Sequence, residues 1–443
     1  MSQALPVSVF AGPTVSLIDR LFPPPRNFAL LLPDGAELPA AGTPLFTLAL
    51  KSPGALRRMF TPPFELSVGE AYIHGHFEID GDIFSAFSLI DASVTRRFSI
   101  GDLLALVRNV RALPKPGKSQ PTGRRPARLR GALHSRQRDR AAVQYHYDLG
   151  DDFYRLWLDQ RMQYSCAYFP TGGEDLDTAQ ERKLDLVCRK LRLLPGEQLL
   201  DIGCGWGGLA TYAAETYGAH VLGVTLSANQ AASAQEHLPD HVRVELLDYR
   251  DLADESFDKI VSVGMFEHVG RSQAHPYFAQ VYRLMKPGGL FLNHSISSQP
   301  LVPKPSVGSA APATSPTVWS RFIKRRIIGD GLFVQRYIFP DGQLIPVSEA
   351  NLAAQNAGFE VRDVENLREH YALTLRQWFN RLEANRDRAI SLTDEATYRA
   401  WRLYLASAAY GFEAARINVN QTLLAKPVDG RAGLPLTRAD LYR

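Results

Sequence analysis

A glycine-rich run that follows an acidic residue is the first feature of this sequence able to hold a ligand. It reads Asp201-Ile-Gly-Cys-Gly-Trp-Gly-Gly208 and directly follows the apolar run 198–202. Glycines between a strand and a helix let the backbone approach a ligand at the helix N-terminus. Three of them also satisfy the GxGxxG spacing, but a dinucleotide site needs an acid about 20 residues later. The next strand ends at Thr225 without one, which argues against a dinucleotide.

Alternating strands and helices surround this loop. Helical periodicity over 180–193 ends at Pro195-Gly196. Short apolar runs then predict strands at 198–202, 220–225, 242–247, 259–263 and 290–294, with helical segments between most of them. This order predicts an α/β fold with a doubly wound, parallel, Rossmann-like sheet. Further along, 347–357 and the Ala- and Leu-rich stretch 395–424 predict a helical C-terminal portion.

The first 110 residues have a different pattern. Apolar stretches at 28–32 and 45–50 are broken by Pro and Gly, and 83–94 has helical spacing, so we expect a small α+β domain. The turn-rich piece 69–82 contains His74 and His76 beside aspartates. Its spacing matches no known ligand pattern, and ordinary turn chemistry accounts for it better. No metal site is predicted.

A basic segment separates the two regions. The chain has 443 residues and a net charge of +4, but 111–140 carries ten Lys or Arg against one acid. Four prolines and three glycines in that segment predict a semi-extended linker. The expected organisation is therefore a small domain at 1–110, a linker at 111–140 and the α/β domain at 141–443.

Composition excludes several classes of protein. Apolar residues make up 45% and charged residues 22%, as in globular proteins rather than disordered or coiled-coil ones. Cys166, Cys188 and Cys204 are odd in number and lack CxxC spacing, so neither disulfides nor zinc are favoured. The sequence has no apolar run long enough for a spanning helix and no signal-peptide pattern, so we expect a cytoplasmic protein.

Six motifs make the sequence similar to a known family. They lie at 145–152, 163–168, 201–208, 223–230, 262–270 and 337–342. In this order, over about residues 140 to 425, they resemble the cyclopropane-fatty-acyl-phospholipid synthases, which methylate the double bond of unsaturated acyl chains. The order Pro-Gly, apolar pair, Asp, Gly-x-Gly is also the one seen in S-adenosylmethionine-dependent methyltransferases. The N-terminal region is only loosely similar to the family's smaller domain.

The resemblance implies that the glycine loop binds S-adenosylmethionine. A sulfonium cation favours aromatic faces, which Tyr164 and Trp206 can supply. The implied donor-binding residues are Tyr164, Ser165, Asp201, Gly203, Gly205, Trp206, Thr225, Gln230, Asp248, Tyr249 and Arg250. The last three would lie near the adenine. The alternative is that Trp206 and Tyr249 are only packed aromatics.

The resemblance also implies a set of catalytic residues. An isolated alkene has no proton to lose, so methyl transfer generates a carbocation, and a base is needed afterwards to let the ring close. In the family a bound bicarbonate relays that proton. The residues that map to its site are Glu267, Cys166, His294 and Tyr371, with the backbone of Ile296 nearby. Each alone has a structural alternative, as a helix cap, core residue or packed ring; together they favour the catalytic interpretation.

The expected function is methylene transfer to an unsaturated phospholipid acyl chain, giving a cyclopropane fatty acid. We expect a membrane phospholipid as partner and no nucleic acid. We also expect peripheral contact with the inner face of the membrane, partly through the basic linker. A homodimer is possible, but the sequence does not give the oligomeric state. Three alternatives stay open: a methyl- or methylene-branched product, a small-molecule N-methyltransferase, and a non-catalytic lipid-binding protein. Cys166, His294 and Tyr371 argue against the second, and Glu267 with the intact glycine loop against the third.

Two neighbouring segments carry separate expectations. The stretch 300–318 has five prolines in nineteen residues and is longer than the family pattern. It either reshapes the acyl entrance or is a surface excursion. In 319–328, Trp319, Phe322, Ile323 and Ile327 share an arc of about 140° on a helix, which suggests an interfacial segment that recruits the acyl chain. Packing of these side chains on the protein is the alternative.

Overall fold

The computed structural model describes residues 11–95, 99–117, 123–253, 256–299, 329 and 331–442. The chain divides into two compact units. Unit 1 comprises 1–126, 301–338 and 394–410, and unit 2 comprises 127–300, 339–393 and 411–443. The predicted segments 300–318 and 319–328 lie outside the described residues.

The described helices and strands are as follows. The helices are α1 (Ala11–Leu21), α2 (Ala55–Met59), α3 (Phe64–Ile73), α4 (Ile83–Thr95), α5 (Ile100–Ala112), α6 (Arg136–Tyr147), α7 (Asp151–Arg155), α8 (Leu176–Leu191), α9 (Gly208–Tyr217), α10 (Ala228–Gln235), α11 (Phe266–Val269), α12 (Ala274–Leu284), α13 (Leu332–Tyr337), α14 (Val347–Asn356), α15 (Arg368–Ala384), α16 (Arg386–Leu392) and α17 (Glu395–Glu413). The strands are β1 (Phe28–Leu31), β2 (Glu37–Leu38), β3 (Phe46–Leu50), β4 (Phe77–Gly81), β5 (Gln198–Ile202), β6 (His220–Thr225), β7 (Val242–Leu246), β8 (Phe257–Val263), β9 (Met285–Ser298), β10 (Glu360–Asn366) and β11 (Ile417–Ala425).

Unit 1 is an α+β unit with a four-stranded sheet in the order β2-β1-β3-β4. Strands β1 and β3 pair in parallel, and the other two pairs are antiparallel. Helix α5 begins with a capping box in which the Ser99 hydroxyl and the Asp102 carboxylate each accept a backbone N–H from the other residue. This cap stabilises the N-terminus of α5, and the helix continues to Ala112.

The sequence-based domain boundaries need correction. The predicted linker 111–140 overlaps the end of α5 and the start of α6, so prolines and glycines interrupt only its middle. Residues up to 126 belong to unit 1 and those from 127 to unit 2. Residues 394–410, which were assigned to the α/β domain, belong to unit 1. Local composition cannot reveal that a distant segment returns to an earlier unit.

Unit 2 contains a seven-stranded sheet in the order β10-β11-β9-β8-β5-β6-β7. Strands β7, β6, β5, β8 and β9 are adjacent and run parallel to one another, which confirms the Rossmann-like prediction. Strand β11 runs antiparallel between β9 and β10. The prediction of helices up to residue 424 was wrong from 417 onward, because the chain turns at Ala415, whose φ is positive, and then pairs with β9 as strand β11.

Apolar layers cover both faces of this sheet. One layer joins α8 and α9 to the sheet through Leu184, Val187 and Leu209; the other joins α12 through Phe278 and Val281. Burial on both faces is typical of a parallel sheet and holds the strand ends rigidly in place. Among the described residues no helix is both long and apolar enough to cross a membrane.

Candidate active site

A cavity opens at the carboxyl ends of β5 and β8. The chain adds β6 and β7 on one side of this pair and β9 on the other, so the strand order reverses between β5 and β8. Such a switch point is where doubly wound sheets bind ligands. The chain leaves β5 through Gly203, Gly205 and Gly207, with φ of +82°, +57° and +79°. A Cβ atom on Gly203 would lie 2.9 Å from the Met265 side chain, and one on Gly208 would lie 2.2 Å from the Arg161 carbonyl oxygen. Glycine is therefore required at these positions by conformation and by space.

Ten of the eleven predicted donor-binding residues line this one cavity. They are Tyr164, Ser165, Asp201, Gly203, Gly205, Trp206, Thr225, Gln230, Tyr249 and Arg250. Asp248 does not line it, which differs from the expectation. Its carboxylate accepts the Arg250 backbone N–H at 3.0 Å and the guanidinium at 2.6 Å, so it orients Arg250 instead.

Aromatic side chains form one wall of the cavity. The Trp206 indole N–H donates to Asp151 Oδ1 at 2.8 Å, and its ring centroid lies 5.1 Å from that of Tyr154. The Tyr164 ring lies 5.2 Å from Trp378 and 5.5 Å from His146. Packing on several sides fixes both ring planes, and aromatic faces of this kind can make a cation–π contact with a sulfonium.

Other residues of the cavity were not identified from the sequence. They include Asp139, Val143, Tyr147, Gln163, Met265 and His268. His268 is buried, which lowers the pKa of its imidazole to about 4 and leaves it neutral, and its ring stacks on Phe339 at 4.3 Å. Several of these residues lie within the six motifs, so membership of a motif was the only signal available.

Two buried polar residues of α8 form hydrogen bonds to Gln163 and Ser165, which line the cavity. Lys183 Nζ donates to Gln163 Oε1 at 2.7 Å and to Ser165 Oγ at 2.9 Å. One turn earlier, Gln180 Nε2 donates to the Ser165 carbonyl oxygen at 2.8 Å. These bonds hold the segment that presents Tyr164. Neither residue could be identified from the helical periodicity of this segment, because that periodicity depends only on the apolar residues.

The charged groups of Asp201 and Lys183 in this part of the cavity shift each other's pKa. Burial raises the pKa of Asp201 to about 7, and the nearby Lys183 ammonium partly offsets that rise. Burial lowers the pKa of Lys183 to about 8, against the attraction of the Asp159 and Asp201 carboxylates. At the opposite end, the Arg250 guanidinium is paired with Asp248 and, at 3.1 Å, with Asp139. The positive charges near the cavity are therefore balanced by carboxylates, as a cationic ligand requires.

Glu267 lies in α11, directly after β8. Its Oε1 accepts the backbone N–H of Ile296 on β9 at 2.6 Å. The carboxyl is fully buried, and burial raises its pKa to about 7. Among the described residues no hydrogen-bond partner reaches Glu267 Oε2. A carboxyl with this pKa and a free oxygen can accept and release a proton near neutral pH.

His294 lies on β9, two residues before Ile296. Burial, together with the positive charges of Lys183 and Lys190, lowers the pKa of its imidazole to about 3, so the ring is neutral. Its Nδ1 lies 3.2 Å from the amide nitrogen of Gln421 on β11. Within the described part of the chain, His294 Nε2 and Gln421 Oε1 have no hydrogen-bond partner. Gln421 was not identified from the sequence, because the stretch around it was predicted to be helical.

Cys166 and Tyr371 meet at Leu367. The buried Cys166 Sγ lies 3.7 Å from the Leu367 carbonyl oxygen, which also accepts the Tyr371 backbone N–H at 3.0 Å. The Leu367 N–H donates to Val419, the residue of β11 that pairs with Ile296. Burial raises the pKa of the Cys166 thiol well above its usual range, so it is a neutral thiol. Backbone hydrogen bonds and strand pairing thus link the segments that carry the five predicted catalytic residues.

The residues present fit both groups that the resemblance implies. The glycine cradle and the aromatic wall suit S-adenosylmethionine. Buried polar atoms without a protein partner are rare and call for a polar ligand. Glu267 Oε2, His294 Nε2 and Gln421 Oε1 combine acceptor and donor capacity, which suits a small oxyanion that carries a hydroxyl group, such as bicarbonate.

Comparison with known proteins places the chain in a family. The family model described as mycolic acid cyclopropane synthetase matches residues 134–422. The chain belongs to this family. It is an S-adenosylmethionine-dependent methyltransferase, and the resemblance drawn from the six motifs is confirmed. A protein of Pseudomonas putida called probable fatty acid methyltransferase is 40% identical over 433 residues, covering 95% of this chain and 99% of its own length.

Two further members of the family illustrate the range of relatives. The cyclopropane-fatty-acyl-phospholipid synthase of Escherichia coli is 38% identical over 69% of this chain and 72% of its own length. The structure of the cyclopropane synthase MmaA2 from Mycobacterium tuberculosis is 37% identical, with a TM-score of 0.57 over 64% of this chain and 97% of that one. A coclaurine N-methyltransferase with 21% identity and a TM-score of 0.50 shares the fold alone.

Proposed function

We propose that this enzyme adds a methylene group from S-adenosylmethionine to the cis double bond of an unsaturated phospholipid acyl chain, forming a cyclopropane. The observation that carries the proposal is Glu267, a buried carboxyl with one oxygen bonded to Ile296 and the other without a described partner. It follows Met265, which lines the donor cavity. Ring closure requires a base near the methyl-donor site, because a proton must leave the newly added methyl group.

The donor side of the reaction depends on orientation and charge balance. S-adenosylmethionine supplies an electrophilic methyl group on a sulfonium centre. Tyr164 and Trp206 stabilise that charge without forming a covalent bond. Lys183 and Arg250 bring positive charge near the cavity, but their carboxylate neighbours neutralise it. The alkene needs no activation by a base before attack, since its π electrons are the nucleophile.

Proton removal follows methyl transfer. The acyl chain then carries a positive charge, and loss of a proton from the new methyl group lets the ring close. Glu267 accepts this proton at Oε2. A bicarbonate held by Glu267, His294 and Gln421 would supply a further basic oxygen beside it. The Ile296 N–H stabilises the carboxylate at Oε1. Cys166 remains a thiol and contributes a hydrogen bond, because its raised pKa disfavours a nucleophilic thiolate.

Contact with an anionic lipid surface is part of the proposal. On α5, the exposed fractions of Leu104 and Val107 are 68% and 48%. Arg108 and Arg111 are also exposed, and the four side chains fall within an arc of about 100°. Apolar and basic side chains on one helix face suit the interface of an anionic bilayer, where each basic residue contributes about 1 kcal/mol.

The structure changes which basic residues are available for this contact. Arg124, one of the linker cations expected to contact lipid, is buried, and its Nε donates to the Tyr337 carbonyl oxygen.

Replacing Leu104 and Val107 by Ser should weaken binding to vesicles of anionic phospholipid while leaving donor binding intact. Unchanged sedimentation with vesicles at both low and high salt would remove α5 from the proposal.

A branched product is the second candidate. Two relatives, one of them covering 95% of this chain, are called probable fatty acid methyltransferases, a name that does not specify a ring. A hydride shift before proton loss would give a methylene branch from the same cation. Glu267 would serve either outcome, so the product must be measured.

Expression in a host with monounsaturated phospholipids tests the proposal. Mass spectrometry of the released fatty acids should show a gain of one CH2 unit, and the product should resist ozonolysis, which cleaves only alkenes. Expression of Glu267→Gln at the same level is the control. Fatty acids that stay unchanged with the wild-type enzyme would contradict the proposal, and a heavier product cleaved by ozonolysis would select the methylene-branched alternative.

A further inference from the structure

We infer that Gln421 is a positioning residue that fixes the tautomer of His294 and thereby makes His294 Nε2 a hydrogen-bond donor in the proton-relay site. This inference rests on the proposed function and adds a residue to it. It also predicts a property of the unliganded protein that can be measured without turnover.

The sheet brings the two side chains together. Strands β9 and β11 are antiparallel, and His294 and Gln421 are directly paired across them. Side chains of directly paired residues lie on the same face of a sheet. Both residues are buried, with exposed fractions of 2% and 0%, and the amide nitrogen of Gln421 lies 3.2 Å from His294 Nδ1.

Donor and acceptor chemistry then determines where the single imidazole proton lies. The neutral ring has one N–H and one lone pair. With the amide nitrogen of Gln421 facing Nδ1, this nitrogen donates, Nδ1 accepts, and the ring proton is on Nε2. Protonation of both nitrogens is disfavoured, because burial and the charges of Lys183 and Lys190 oppose an imidazolium.

The chosen tautomer decides what the site can bind. His294 Nε2, now an N–H donor, lacks a partner among the described residues, as do Glu267 Oε2 and Gln421 Oε1. An N–H group attracts an anionic oxygen, whereas a lone pair at the same place would repel it. The two oxygens of the protein can accept a hydroxyl proton. The combination selects a small oxyanion that keeps one hydroxyl, and the opposite tautomer would not.

The test compares two substitutions with a matched control. Gln421→Glu offers Nδ1 an acceptor and should move the ring proton to Nδ1, whereas Gln421→Met offers it no hydrogen bond. Asn420→Asp is the control: it makes the same amide-to-acid change on the same strand, at a buried side chain that bonds to Ser297 on the opposite face. Thermal unfolding identifies any variant that fails to fold.

Two readouts are needed. Nitrogen NMR of histidine-labelled protein, with His294 assigned from a His294→Asn variant, should show a protonated Nε2 in the wild type and in Asn420→Asp, and a protonated Nδ1 in Gln421→Glu. In turnover assays both Gln421 variants should need roughly ten- to hundredfold more bicarbonate for half-maximal rate, as expected for losing a hydrogen bond to a charged group. The KM for S-adenosylmethionine should change less than twofold.

The outcomes separate this inference from the function on which it rests. A wild-type His294 protonated at Nδ1, or a Gln421→Glu variant with unchanged tautomer, would overturn the inference even in an active enzyme. An unchanged bicarbonate response in a Gln421→Glu variant that does switch tautomer would overturn the link to the anion. Absence of any lipid product with the wild type would refute the proposed function, while the NMR measurement would still decide the role of Gln421.

Discussion

Replacing Glu267 by Gln removes the proposed base while keeping its size. The amide oxygen can still accept the Ile296 N–H, so the short helix α11 should stay in place. The amide cannot take a proton. A positioned base contributes roughly 10²- to 10⁴-fold to rate, and turnover should fall by that factor while calorimetry shows nearly unchanged donor binding.

The same substitution has a calculable effect on stability. A pKa raised from 4.5 to about 7 means that the folded protein binds this proton more tightly than the unfolded chain does. The stabilising contribution is complete below pH 4.5 and is lost as pH rises towards 7, a change of about 3 kcal/mol in the free energy of unfolding. The Gln side chain has no such dependence. Relative to the wild type, Glu267→Gln should therefore gain about 3 kcal/mol between pH 4.5 and pH 8.

The assay is urea unfolding of both proteins across this pH range, beside turnover at each pH. Wild-type turnover should rise with pH through about 7 as Glu267 loses its proton. Glu236→Gln, at an exposed position, is the control for the amide replacement and should not change the rate. Near-normal turnover of Glu267→Gln, with the usual product, would refute the reasoning about the base; a stability difference that is constant with pH would refute the reasoning about its burial.

Three further substitutions test the rest of the site. Cys166→Ser should lower turnover less than tenfold, because a hydroxyl can replace a thiol hydrogen bond; an inactive, folded serine variant would instead indicate a covalent role. Lys183→Met should weaken donor binding by roughly ten- to hundredfold in calorimetry, because both bonds to the Tyr164 segment are lost, and unchanged affinity would show that this support is unnecessary. Trp206→Phe should weaken donor binding by about tenfold through loss of the bond to Asp151, and an affinity equal to the wild type would leave that bond without a role in binding.

The parallel part of the sheet could be predicted from sequence because its strands are short apolar runs bounded by glycine and proline. Strand β5 was predicted with its observed bounds, and so was β6. Strands β10 and β11 could not be predicted in the same way. β11 follows a long helix after a single left-handed residue, Ala415, and its Ala- and Leu-containing end continues the composition of that helix. Its strand conformation depends on pairing with β9, which is tertiary information.

Site residues that belong to a sequence motif could be predicted. Site residues that matter only through hydrogen bonds made in the folded protein could not. The glycine loop and the Glu267 motif place their residues at strand ends, and the structure brings them to one region. Lys183, Gln180 and Gln421 carry no motif of their own. Their importance follows from bonds to residues far away in sequence, which only the folded structure reveals.

The central claim is that this enzyme transfers a methyl group to an acyl-chain alkene and then removes a proton from that same methyl group. Incubation of the purified enzyme with monounsaturated phospholipid vesicles and S-adenosylmethionine carrying a fully deuterated methyl group tests this most directly. The product should retain two of the three deuterium atoms and should resist ozonolysis. A product that keeps all three deuterium atoms, or lipid that gains no deuterium, would contradict it.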